Sequence, residues 1–111
     1  MLDSDSPETV SLVTKFNVAR ELWHHAGSYD RDPALMLVNV GRKYIRLVFR
    51  EFLSGDESLS CAGFVDRVTG DILYAKDRRG PTRRVRGNVF NPDGGQSAVA
   101  WHGVAMAGER S

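Results

Sequence analysis

Six of the fifteen lysines and arginines in this 111-residue chain fall between Lys76 and Asn88: Lys76, Arg78, Arg79, Arg83, Arg84 and Arg86. Only Asp77 opposes them, so the stretch carries +5 while the whole chain totals +1 and the remainder −4. A guanidinium presents a planar fork of donors that matches the paired oxygens of a phosphate or carboxylate, so arginines held on one surface can bind an anion. Tyr74 and Phe90 stand near the two ends of the stretch, where a ring could stack on a base. Residues of these types in this order point first to nucleic acid, and next to an acidic protein surface. The plainer reading is a solvated loop whose cations pair with Glu51, Asp56 or Glu57. The near-neutral total argues against a general nucleic-acid coat protein, which would be basic overall.

Other chemistries find less support. Histidines occur only at 24, 25 and 102. Adjacent helical positions such as His24 and His25 point about 100° apart, so they do not converge on one metal ion. No Gly-x-Ser-x-Gly elbow and no phosphate loop ending in Gly-Lys-Ser/Thr is present. Asp66 and Asp71 flank a turn, where aspartate ordinarily accepts from neighbouring backbone amides. The expectation is a non-enzymatic protein with no catalytic residue, no metal and no cofactor. Trp23 belongs to a helical apolar stripe and reads as core. Trp101, in an apolar tail, reads as a core plug or as an interface residue.

The elements that must carry these residues follow from periodicity. Leu12, Phe16, Ala19, Trp23 and Ala26 recur at spacings of four and three, which predicts a helix over 7–26. Ser6-Pro7 supplies a start, Glu8 suits the positive end of the dipole, and Gly27 supplies a stop. Residues 1–6 are acidic and should fray. After a polar loop the period changes to two, with a first strand through Leu35, Leu37 and Val40. Lys43 to Leu53 is the clearest strand: Ile45, Leu47 and Phe49 share one face, and Tyr44, Arg46, Val48 and Arg50 the other, partly wet one. Leu59 to Asp66 and Ile72 to Tyr74 form a hairpin around Val68-Thr69-Gly70-Asp71, with Gly70 at positive φ.

The fold class is therefore α+β: an N-terminal amphipathic helix packed on an antiparallel sheet of about four strands, with an irregular C-terminal segment. The whole of 1–111 is one domain. Antiparallel strands occupy 34–76, basic and Gly-rich loops 77–97, and a final strand or docking tail 98–107. Gly80-Pro81 and Gly87 argue against a continuous element in the basic stretch. No run reaches the roughly 18 apolar residues of a membrane span, and the acidic N-terminus lacks the layout of a secretory signal. Cys61 stands alone, excluding an intrachain disulfide and favouring a reducing compartment; its place in the strand pattern suggests a small core residue.

Three blocks carry a resemblance: Gly41-Arg42-Lys43-Tyr44-Ile45-Arg46-Leu47-Val48, then Gly63-Phe64-Val65-Asp66-Arg67-Val68-Thr69-Gly70-Asp71-Ile72-Leu73, then Arg86-Gly87-Asn88-Val89-Phe90. In this order they resemble a family of small, largely uncharacterised proteins of tailed bacteriophages, over roughly residues 12–91. The family's run after Thr-Gly-Asp carries a tryptophan that Tyr74 to Thr82 lack, and here arginines are added. The resemblance implies a phage protein acting in the host cell cytoplasm during infection or in the virion. It offers no catalytic residues, and it marks Arg86, Gly87 and Asn88 as a shared functional or structural point. The expected function is a phage accessory protein binding nucleic acid or another anionic partner through the arginine segment. The alternative is a homo-oligomer or virion component held in a larger assembly by its helix face or tail.

Overall fold

Leu12 and Phe16, four residues apart, are both fully buried on one side of helix α1 (Pro7–Ala26) in the computed structural model of the chain. The structure describes residues 1–26, 35–53, 56–75, 80–100 and 103–104, with only the backbone for 24–26, 35, 51–53, 56–58 and 83. Helix α1 spans the residues its periodicity predicts. Ser6 behaves differently from expectation: its hydroxyl accepts from the Asp3 amide at 2.8 Å, bracing the turn before the helix rather than the first helical amides.

Five strands follow in one antiparallel sheet of order β1-β2-β3-β4-β5: β1 (Leu35–Val40), β2 (Tyr44–Leu53), β3 (Asp56–Asp66), β4 (Asp71–Ala75) and β5 (Pro81–Asn88). The α+β architecture agrees with the sequence, and the sheet has one strand more than expected. The extra strand is β5, built from the stretch assigned to loops. Pro81 is tolerated because it is the first residue of an edge strand, where the missing amide breaks no central ladder. Gly87 lies beside one of two register shifts in the β4–β5 pairing, between its partner Ile72 and the Leu73–Val85 pair. A break in regularity that looks like a loop in sequence is absorbed as a bulge.

One face of the sheet packs on the helix. Ile45, Leu47, Phe49, Val65 and Ile72 are buried against α1, and the Phe16 ring meets Phe49 edge to face at 6.4 Å. The Met36 amide on β1 donates to the Asn17 side chain at 2.9 Å, tying the helix to that edge. Beyond β5 the chain turns through 91–95 into a short 3-10 helix (Gln96–Ala98) and a two-stranded ribbon, β6 (Val99–Ala100) and β7 (Gly103–Val104). That ribbon packs β6 against α1 and β7 against β3 and β4, so it finishes the core that the helix begins. The tail expected over 98–107 thus docks over its described part. Val104 settles onto Gly63, where a Cβ would collide with its side chain.

Three smaller expectations change. Trp23 is half-buried rather than core, with the Arg20 guanidinium 4.9 Å over its ring. Cys61 is half-buried opposite Val48 on the face away from α1 and its core. The N-terminus does not fray: Leu2 is buried and its amide donates to the Arg67 carbonyl at 2.8 Å. The Arg67 side chain completes this clamp, donating from Nε to the Leu2 carbonyl and from its terminal nitrogens to the Gly41 carbonyl, both at 2.8 Å, and to the Asp3 carboxylate at 2.7 Å.

Candidate functional site

Strand β5 carries Arg83, Arg84 and Arg86 of the basic stretch on the edge opposite β1. Its backbone is held by the ladder to β4 through Asp71–Asn88, Ile72–Gly87, Leu73–Val85 and Ala75–Pro81. Arg84 is exposed and has no carboxylate partner among the described residues. Arg86 is half-buried, with an Nε shielded from solvent and no hydrogen bond to satisfy it; the Thr82 hydroxyl is in the same condition. A buried donor left without an acceptor costs about 1–3 kcal/mol, so both groups mark places where an added acceptor would be stabilising. Arg83 is described only in its backbone. Lys76, Arg78, Arg79 and Trp101 lie outside the described residues.

The two aromatic residues near the ends of the basic stretch separate. Tyr74 packs against the core cluster at one end of β4. Phe90 is 56% exposed at the other end, its ring over Gly70. Four strand residues between those ends amount to about 13 Å, so the rings do not form one stacking platform. Gly70 has a φ of 78°, and a Cβ there would strike the Phe90 ring.

The Arg86-Gly87-Asn88 segment is largely local architecture. Asn88 donates to the Thr69 carbonyl and to the Asp71 carboxylate, both at 2.9 Å, and accepts from the Phe90 amide at 2.8 Å. It therefore latches the end of β5 to the β3–β4 turn. Gly87 passes close to the Ala98 methyl group. Asp66 closes the same turn, accepting from the Val68 and Thr69 amides at 2.8 and 3.1 Å. The Thr69 amide above all, with help from the Val68 amide and the nearby Lys43 charge, holds the Asp66 carboxyl below its ordinary value against the opposing effect of burial. Asp93 is lowered likewise by the Gly95 and Ser97 amides. Both carboxylates accept the backbone amides of their turns.

A second group of cations was missed by reading the sequence for charge density alone. Arg42, Lys43 and Arg46 surround a pocket of about 360 Å³ at the β1–β2 turn, with Asn39, Tyr44 and Phe64 on its walls. Register explains the assembly: Asn39 on β1 faces Arg46 on β2, which faces Phe64 on β3, all on the face away from α1. The Arg46 guanidinium lies 5.8 Å from the Phe64 ring, and Tyr44 meets Phe64 edge to face at 6.0 Å. The sequence signal was the alternation of Tyr44 and Arg46, which places ring and cation on one side of β2, with Arg42 and Lys43 in the turn before it.

An apolar groove of about 690 Å³ runs between α1 and β6, lined in part by Val18, Leu22, Trp23 and Val99. Leu22 is 67% exposed there. Among the described residues no three His, Cys, Asp or Glu side chains are grouped to hold a metal, and no helix is long and apolar enough to cross a membrane. The chain matches no protein-family model, and comparisons with curated proteins and with solved structures return no match.

Proposed function

We propose that this chain is a non-enzymatic accessory protein that binds nucleic acid through the cations of the β5 edge, in the phage setting that the resemblance implies. The observation that carries this reading is Arg84: exposed, unpaired among the described residues, and carried on β5 next to Val85, which pairs with Leu73. A cation on a fixed strand gives up less freedom on binding than one on a free loop. Arg86, two residues along, has a buried Nε that lacks an acceptor. The competing account is that edge-strand cations merely discourage pairing with another sheet. Salt dependence separates the two.

Fluorescence anisotropy with labelled single- and double-stranded DNA and RNA provides the test. Engagement of about four phosphates would weaken binding roughly 50- to 150-fold between about 50 and 200 mM salt. Arg84→Ala would remove about one contact and flatten the salt slope by about 0.7–0.9. Absence of binding to every probe at low salt would sink the proposal.

A second reading draws on the groove beside α1, where exposed Val18 and Leu22 continue an apolar surface toward Trp23. It is a protein-interaction or virion component held by its helix face. Sedimentation would then show an oligomer or complex that resists nuclease and is lost in Leu22→Lys; a monomer at high concentration that recovers no partner argues against it.

A further inference from the structure

Arg67 shows what a structural arginine looks like in this fold: every nitrogen group is committed to a carbonyl or carboxylate, and the side chain is 16% exposed. The cations around the β1–β2 turn behave differently. Among the described residues Arg42 and Arg46 make no ion pair and no carboxylate lines their pocket. The Arg46 Nε is buried and makes no hydrogen bond, while the rest of its guanidinium lies against Phe64. Lys43 lies 5.3 Å from the Tyr44 ring, and its charge also reaches Asp66, whose Oδ1 accepts from the Val68 and Thr69 amides.

We infer that this pocket is a binding site for a nucleoside phosphate, with the phosphate among Arg42, Lys43 and Arg46 and the base against Tyr44 and Asn39. Charge supports the first half: three cations, with no carboxylate lining the pocket among the described residues, call for an anion whose oxygens match the guanidinium forks. Size and wall chemistry fix the second. A volume of about 360 Å³ equals that of about a dozen liquid waters, far more than one phosphate fills, and falls in the range of small-ligand pockets. Aromatic walls suit a planar ring, and an asparagine amide can both donate to and accept from a base edge. The ligand is a free mononucleotide or one unit of a single strand; the recognising chemistry is the same. The pocket sits three strands, about 14 Å, from β5, so it stands whether or not the β5 edge binds nucleic acid.

Calorimetric titration of the full chain with adenosine monophosphate, inorganic phosphate and a short single-stranded oligonucleotide tests the assignment, with folding of each variant checked by circular dichroism. The expected result is one-site binding of the nucleotide, with inorganic phosphate at least about tenfold weaker. Arg46→Met keeps an unbranched side chain beside Phe64 and removes the donors, and should weaken the nucleotide about tenfold or more. The exposed pair Arg42→Ala/Lys43→Ala should weaken it several-fold without risk to the fold, and Arg84→Ala should change it less than twofold. If strand affinity also falls in Arg46→Met, the strand is a source of the ligand; if it does not, the free nucleotide is, and either result upholds the site. Nucleotide binding with no binding of any single- or double-stranded DNA or RNA probe would remove the β5 proposal and leave this one. The inference is overturned if neither nucleotide nor strand binds at low salt, or if binding persists undiminished in folded Arg46→Met and in the double variant.

Discussion

The clamp made by Arg67 can be tested by its removal. In Arg67→Ala the Nε bond to the Leu2 carbonyl, the bond to the Gly41 carbonyl and the pair with Asp3 all disappear, leaving only the backbone bond from the Leu2 amide. The bond to Leu2 is partly buried and the bond to Gly41 exposed, so each contributes about 1 kcal/mol after competition with water. The Asp3 pair adds at most about 0.5 kcal/mol, because Asp3 is 57% exposed and solvent screens it. Loss of the clamp also loosens Leu2, whose burial contributes about 1.5–3 kcal/mol, although only part of that is forfeited. The expected destabilisation is about 2–3 kcal/mol, measured by urea unfolding at neutral pH. Asp3→Ala should cost less than about 1 kcal/mol. Arg67→Lys should not rescue, since one ammonium cannot span acceptors on the N-terminus and the β1–β2 turn together. A double-mutant cycle with Leu2→Ala should show coupling above about 0.5 kcal/mol. Arg67→Ala within about 0.5 kcal/mol of the parent would refute the claim that this side chain docks the N-terminus.

Two further outcomes follow from the packing and the turn. Gly63→Ala should destabilise by about 1–3 kcal/mol, because the new methyl group would meet Val104, and hydrogen exchange should quicken first at Val99–Val104; unchanged stability would show that the ribbon does not rest on Gly63. Asp66 titrates below its ordinary value of 3.8 in the folded chain, so its contribution to stability is present above that value and is lost as pH falls through the folded pKa. The stability gap between parent and Asp66→Ala should therefore narrow on acidification below about pH 4, and a gap independent of pH would contradict the turn role.

Much of the fold was legible because its signals are local. Helix α1 and strands β1, β2 and β4 announce themselves in periods of 3.6 and 2, and Gly70 takes the positive φ that its turn demands. Strand β5 was hidden because Gly80-Pro81 and Gly87 are loop residues by local preference. Their tolerance depends on an edge position and a register shift, which are properties of the neighbouring strand. The docked N-terminus was hidden for a similar reason: the partner of Leu2 and Asp3 lies 65 and 64 residues away.

The candidate site divides along the same line. By itself the sequence determined that cations concentrate on one stretch and that Tyr44 and Arg46 fall on one side of a strand, because composition and a period of two need no long-range contact. Only the tertiary structure decided which cations are committed and which are available. Arg67 is consumed by carbonyls from two other segments, while Arg46 is set between Asn39 and Phe64 by strand register with its Nε unsatisfied. A guanidinium reads the same in any sequence; its use depends on acceptors that other parts of the chain bring, or fail to bring, within reach.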